Sequence, residues 1–408
     1  MRVVVLHQHY WPEIAATAQI LTDLCEDLAA GGMDVTVLCG QPSYRQMDGV
    51  ASRLARADSH AGVHIRRVWS YTPRARTIPR RLAHYASYFA SSLAHALVEA
   101  KPDVVFVLST PPLLLGISGA VLRALRGVPF VYSVQDLYPD IAIDLGVLRP
   151  GLATSSIDHV SRALYRRAAE VVTLSNGMAA RLADKGVAAE RMTIIPNWAD
   201  TDQVVPLPRD NALARAHGLA DGFVIQYSGN VGLSQGLEHL PEAAELLRDL
   251  PITFAVVGDG NARESLGRRV RERGLDERVR FIPPQPRERL PELLASCDVG
   301  LVPMRRSVGA DLVPSKLYGI LAAARPVLAS VATGTEVAEV VHRHACGLVV
   351  APEDPRALAD GVRLLYDRRA SLGDMGTSGR EACERYFSRR VCTRRYADVL
   401  ARAAEAGR

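Results

Sequence analysis

The sequence predicts two consecutive α/β units, each a doubly wound parallel sheet covered by helices on both faces. Three observations predict it. Short apolar runs alternate with longer stretches of helical periodicity, which is the signature of parallel strands joined by crossover helices. The alternation restarts after a proline-rich passage near residue 200. The length, 408 residues, exceeds what one ordinary core organises.

In the first unit, residues 2–6 form an apolar run suited to a central strand. Residues 17–30 carry apolar side chains at helical spacing and stop at Gly31-Gly32. Strands are predicted over 35–39, 63–69, 104–108, 130–134 and 171–174. Helices are predicted over 80–100, which Lys101-Pro102 stops, and over 113–126. The stretch Ile194-Ile-Pro-Asn-Trp-Ala-Asp200 reads as a hinge. Beyond it, strands are predicted over 223–227, 252–257, 279–282, 299–302, 327–329 and 347–350. Gly229, Gly258 and Pro303 each follow a strand end, where ligands of such sheets bind.

Composition excludes several classes. Hydrophobic residues at 48% and charged residues at 23% describe a globular chain. The six cysteines are scattered with no Cys-x-x-Cys, which argues for free thiols in a reducing cytosol. No signal peptide is visible, and no apolar run approaches the roughly 20 residues that span a bilayer. The net charge is +5, mostly from arginine, and residues 62–98 contain no acid. That segment holds Arg74, Arg76, Arg80 and Arg81 among Tyr85, Tyr88 and Phe89. It suits an anionic membrane surface, a solvated face or, with no recognition motif in support, nucleic acid.

Two loops in the second half suit phosphate. Pro314-Ser-Lys316 opens an apolar helix, placing backbone N–H groups and one cation together. Tyr227-Ser-Gly-Asn-Val-Gly-Leu-Ser-Gln-Gly236 is the other, with glycines at 229, 232 and 236. Two such loops in one unit point to a nucleotide diphosphate. Asp200-Thr-Asp202 is read as a turn cap rather than a metal site, and His60 and His64 do not share a helix. No metal is expected.

These motifs, in order, resemble the retaining glycosyltransferases of family 4, which have the two-Rossmann GT-B fold with its domains facing a central cleft. Pro12-Glu-Ile-Ala-Ala-Thr-Ala18, Ser175-Asn-Gly-Met178, Ile195-Pro-Asn-Trp-Ala-Asp200, Ser228-Gly-Asn-Val-Gly-Leu-Ser-Gln-Gly236 and Val257-Gly-Asp-Gly260 carry the resemblance. Pro314-Ser-Lys-Leu-Tyr-Gly319 is similar to the fucosamine transferases that build O-antigen, capsule or colanic acid. The resemblance implies an acceptor domain over 1–198, rejoined by a crossover helix over about 381–408, and a donor domain over 199–380. It implies a nucleotide-sugar donor, with a UDP-sugar favoured over a GDP-sugar, and a glycan or lipid-linked acceptor at the inner membrane surface. Retention would follow from attack on the leaving-group face, with the diphosphate itself accepting the acceptor's proton.

Carried residue by residue, the resemblance assigns catalysis to Asp136, Asp311 and Lys316. Asp311 stands where the family has the first of two glutamates, and Gly319 where it has the second. Glu336 and Glu339 are the candidates for the missing ribose contact. Asn230 and Gln235 replace a cationic pair, which leaves Lys316 as the main cation, with Arg305 or Arg306 in support. Ala16, Thr17, Gly229, Gly258, Pro314, Ser315 and Leu317 complete the donor set. His9, Tyr44 and Ser109 are acceptor candidates, and Arg80, Arg81, Tyr85, Tyr88 and Phe89 are membrane candidates. Thr17 could alternatively cap its helix, and Tyr85, Tyr88 and Phe89 could pack on their own domain. A small natural-product acceptor, or a non-transferring relative such as an epimerase or a degenerate partner, is the alternative function.

Overall fold

The computed structural model describes residues 1–13, 15–42, 54–73, 77–110, 113–308 and 312–407. The chain divides into two compact units, Met1–Pro196 with Arg389–Arg408, and Asn197–Ser388.

The first unit is built on β1 (Arg2–Leu6), β2 (Asp34–Cys39), β3 (Ala57–His60), β4 (Val63–Arg67), β5 (Val104–Leu108), β6 (Phe130–Ser133), β7 (Glu170–Thr173) and β8 (Met192–Ile194). They form one sheet in the order β3-β4-β2-β1-β5-β6-β7-β8. All neighbours are parallel except β3 and β4, where His60 pairs with Val63. The two residues between them, Ala61 and Gly62, both have positive φ, the backbone that a two-residue hairpin requires. The connection order reverses between β1 and β5. In open α/β sheets ligands bind beyond the carboxyl ends of the strands at such a switch point. His7 and Ser109 follow those two ends directly.

The carboxyl-terminal helix Arg389–Ala406 completes this unit. Arg389 reaches Asp23 at 3.2 Å, Glu26 at 2.9 Å and Asp27 at 2.7 Å on helix Ala16–Ala30. Tyr396 lies 3.1 Å from the Ser133 hydroxyl, at the end of β6. The single helix expected from residue 381 is corrected. Helix Leu372–Ala382 runs into a π turn, Cys383–Phe387, and Ser388 is extended. The break has a cause: the Phe387 carbonyl accepts from Ala199 N–H at 3.0 Å, and Ser388 bridges to Ala199. Residues up to 388 therefore belong to the second unit.

The second unit contains β9 (Phe223–Ser228), β10 (Ile252–Val257), β11 (Val279–Ile282), β12 (Val299–Pro303), β13 (Val327–Ser330) and β14 (Gly347–Val350). The order is β11-β10-β9-β12-β13-β14. Every pairing is parallel. Alternate residues serve opposite faces, so Ile225 and Tyr227 join one core while Val224 joins the other. The switch point here lies between β9 and β12.

Gly300 on β12 sets how closely the next helix can lie. A Cβ at this position would stand 2.6 Å from Ile320 Cγ2, on helix Lys316–Ala322. The absent methyl group thus seats the helix that begins with Lys316. Gly300→Ala is expected to destabilise the second unit by about 1–3 kcal/mol, the usual range for overpacking. Adding Ile320→Ala should return part of that loss, because the two side chains compete for one volume. Thermal unfolding of the single and double variants checks this; fully additive losses would contradict it.

Candidate functional site

The site of the second unit grows from the end of β9. Gly229 has φ 142° and Gly258, after β10, has φ 129°. A Cβ on Gly258 would fall 2.0 Å from the Gly229 carbonyl oxygen, so the two loops touch backbone to backbone. Val231 N–H donates to the Asp259 carbonyl at 3.0 Å, and Ala262 N–H to the Val231 carbonyl at 3.0 Å. Tyr227, buried in the core, donates its hydroxyl to the Asn230 carbonyl at 2.5 Å. The loop is thereby fixed before any ligand arrives, and Asn230 itself stays exposed.

Lys316 enters this frame from the other side of the switch point. Its Nζ donates to Gln235 Oε1 at 2.6 Å and lies 3.9 Å from the centroid of the Tyr227 ring. A Cβ on Gly229 would be 3.6 Å from the same Nζ. Burial pushes the ammonium pKa from 10.5 down to about 7. Lys316 as a residue is only partly buried, and an arriving anion would restore its full charge. Gln235 is the residue whose part sequence reasoning missed. It is 8% exposed, its carbonyl accepts from Lys316 Nζ, and its amide nitrogen donates to Ser234 Oγ at 3.0 Å. No local signal links two residues so far apart in the chain.

Two expectations about this loop are corrected. Helix Lys316–Ala322 has 7 residues, and Ser315 caps it without a side-chain bond. Leu317 N–H and Tyr318 N–H already donate to the Pro314 and Ser315 carbonyls at 3.2 Å, because the first turn is tight. Fewer free N–H groups remain than the motif suggested, and more of any anion's charge falls to Lys316. Arg305 does not add to it. Its guanidinium pairs with Glu238 at 2.5 Å, while Arg306 donates to the Pro352 carbonyl at 3.3 Å.

Glu336 and Glu339 stand in the first turn of helix Glu336–Arg343, capped by Thr335. Glu339 lies 3.6 Å from Arg343, one turn on. Asp311 and Tyr44 lie outside the described residues. Asp200 accepts from Asp202 N–H at 3.1 Å and Gln203 N–H at 3.0 Å, a turn cap. Among the described residues no group of three or more His, Cys, Asp or Glu side chains is placed to hold a metal ion.

In the first unit the switch point gathers several expected residues. Ser109 Oγ accepts from Gln135 N–H at 2.9 Å. Asp136, next along, is half-buried, and burial raises its carboxyl pKa to about 6. At the end of β1, His9 Nδ1 lies 2.5 Å from Glu13 Oε2. His7 is buried, and desolvation takes its pKa down to about 4, so it stays neutral. Ala15, not Thr17, is the cap of helix Ala16–Ala30, and it offers no side-chain acceptor. Ala16 and Thr17 therefore open an uncapped first turn.

The basic segment is divided by its helix, Ile78–Val98. Tyr88 is corrected: it is fully buried and donates to the Leu38 carbonyl at 2.7 Å, so it belongs to the core. Tyr85 and Phe89 are half-buried. Arg80 and Arg81 are exposed, Arg81 donating to Tyr85 Oη at 3.1 Å. Trp69 at 66% and Leu82 at 62% add exposed apolar surface. Among the described residues no helix is long and apolar enough to cross a membrane.

Comparison with known proteins places this geometry. Residues 15–198 match the glycosyl transferase 4-like domain and residues 211–382 the glycosyl transferases group 1 model. The chain is 31% identical to the putative colanic acid biosynthesis glycosyl transferase WcaI of Escherichia coli K12, over 97% of this chain and 98% of that one. It is 28% identical to the probable glycosyltransferase WbjE of Pseudomonas aeruginosa, over 79% and 80%. Among solved structures, a sucrose-phosphate synthase from Thermosynechococcus elongatus superposes with a TM-score of 0.78 at 19% identity, covering both chains completely. The chain therefore belongs to the group 1 glycosyltransferases, with a 4-like amino-terminal domain and the two Rossmann-like domains of the GT-B fold.

Proposed function

We propose that the protein transfers a sugar, with retention of anomeric configuration, from a nucleotide diphosphate donor to a hydroxyl of a glycan or lipid-linked acceptor. A UDP-sugar is the favoured donor, with a GDP-sugar as the second choice. The product would be a cell-surface polysaccharide, a reading supported by the similarity to WcaI over nearly the whole chain. The observation that carries the chemistry is Lys316: a single lysine held 2.6 Å from Gln235 Oε1 and 3.9 Å above Tyr227, beside the Gly229 loop. Such a cation neutralises the diphosphate as the bond from the anomeric carbon to the phosphate oxygen breaks. The acceptor oxygen then bonds to that carbon on the same face, and its proton passes to a diphosphate oxygen. No divalent ion is needed in this scheme. Asp136, whose carboxyl is raised to about 6, would orient an acceptor hydroxyl. Asp311 would touch the donor sugar, and Glu336 or Glu339 the ribose.

The donor-site reading is tested by calorimetry with UDP and GDP. Lys316→Ala should weaken the preferred nucleotide by about 1.5–3 kcal/mol, the loss of a charge-assisted hydrogen bond. The thermal midpoint of the empty protein should stay close to that of the parent. Unchanged affinity in the variant would remove Lys316 from the donor site.

We also propose that the exposed face around Arg80 and Arg81, with Trp69 and Leu82, rests on anionic lipid, where an acceptor would be anchored. Each arginine near such a surface contributes about 1 kcal/mol, and the attraction fades with salt. Arg80→Glu with Arg81→Glu should abolish flotation with anionic vesicles at low salt and leave turnover of a short soluble acceptor nearly intact. Equal flotation of parent and variant would reduce the cluster to a solvated face.

A further inference from the structure

The second unit has a cavity at the opposite end of its sheet from the Gly229 loop. It measures about 460 Å³ and is lined by Arg209, Arg325, Arg369 and Asp298, with Phe223, Pro326 and Tyr366 on its apolar side. Phe223 opens β9 and Gly229 follows its last residue. A strand of 6 residues spans roughly 20 Å, so the two places do not overlap.

Three guanidinium groups face one carboxylate here, and the carboxylate is already engaged. Asp298 Oδ2 accepts from Arg209 Nε at 2.7 Å and from Val224 N–H at 2.7 Å. Arg209 gives its other nitrogens to the Ala220 carbonyl at 2.7 Å and the Gly222 carbonyl at 2.8 Å. Arg325 and Arg369 differ. Among the described residues Arg325 bonds only through Nη2, to the Leu207 carbonyl at 2.7 Å and the Ala295 carbonyl at 2.9 Å. Its Nε is buried with no hydrogen-bond partner among the described residues. Arg369 bonds through Nη1 to the Tyr366 carbonyl at 2.9 Å, and its guanidinium lies 4.6 Å from the Tyr366 ring centroid. Its remaining donors have no hydrogen-bond partner among the described residues. Leu372 and Gly373, the first two residues of helix Leu372–Ala382, also line the cavity; they follow directly on the 3₁₀ turn Arg369–Ser371, where Ser371 Oγ donates to the Arg368 carbonyl at 2.9 Å. Asp374 shares that turn but is not among the lining residues.

Positive charge in excess and unspent planar donors favour an anion, and the arginine fork matches phosphate. The volume suits a small organic molecule rather than a bare ion. We propose that this cavity binds an organic phosphomonoester, its phosphate on Arg325 and Arg369 and its ring against Phe223, Pro326 and Tyr366. The site is independent of the donor-site reading.

Phenyl phosphate is the probe, titrated into the full-length protein by calorimetry, with inorganic phosphate and phenol as comparators. Phenyl phosphate should bind about tenfold more tightly than either comparator, since both charge and ring are used. Arg369→Glu should weaken it about tenfold or more. Gly373→Glu should do the same without harming the fold, because a Cβ there meets nothing within 4 Å and a carboxylate favours a helix start. Lys316→Ala should leave it unchanged. No binding, affinity equal to that of inorganic phosphate or phenol, or binding lost in Lys316→Ala but kept in Arg369→Glu and Gly373→Glu would overturn the proposal.

Discussion

The second unit is organised around one ammonium group kept partly out of water. Lys316 sits where β9 and β12 diverge, between the Tyr227 ring and the Gln235 carbonyl. Neither neighbour carries a full negative charge. A cation paired with a carboxylate would already be neutralised, as Arg305 is by Glu238. Lys316 is instead solvated by a dipole and a π face, which hold its position while leaving most of its field unspent. The rest of the unit serves that placement. Gly300 lets the helix approach β12, Tyr227 ties the Asn230 loop, and Gly229 leaves room beside the ammonium.

The first unit follows another constraint. Its switch point holds neutral or weakly acidic groups: His7 kept uncharged by burial, Asp136 raised to about 6, and Ser109 bonded to the Gln135 backbone. Several of its charged residues form structural ion pairs. Arg389 gathers three carboxylates of helix Ala16–Ala30, and Lys185 lies 2.7 Å from Asp140 and 2.5 Å from Asp158. A hydroxyl-bearing acceptor needs hydrogen bonds more than charge, which accords with the proposed division of labour between the units.

Much of the fold was legible because buried parallel strands are continuous apolar runs. All six strands of the second unit lie where Val, Ile, Leu and Phe cluster. Two strands of the first unit were not legible. β3 reads Ala-Asp-Ser-His and is held by its pairing with β4, while β8 has only three residues, Met-Thr-Ile, and ends where the hinge stretch begins, at Ile194. The site was legible in part. A lysine after Pro-Ser at a helix start marks itself locally, whereas its partner Gln235 and the tight first turn depend on tertiary packing. Tyr88 shows the limit of periodicity, since helical spacing alone cannot say whether a ring meets lipid or Leu38.

Proton uptake on nucleotide binding tests the account most directly. Lys316 has a free-state pKa of about 7, and a diphosphate beside it must raise that value. Above pH 7 the free group is largely neutral and the bound group charged, so binding takes up a proton and affinity falls as pH rises. Below pH 7 the group is charged in both states and adds no pH dependence. Calorimetry at pH 8.5 in buffers of different ionisation enthalpy should give an uptake approaching roughly one proton, absent in Lys316→Ala. No uptake in the parent, or the same uptake in both proteins, would contradict the claim that a desolvated lysine receives the donor's diphosphate.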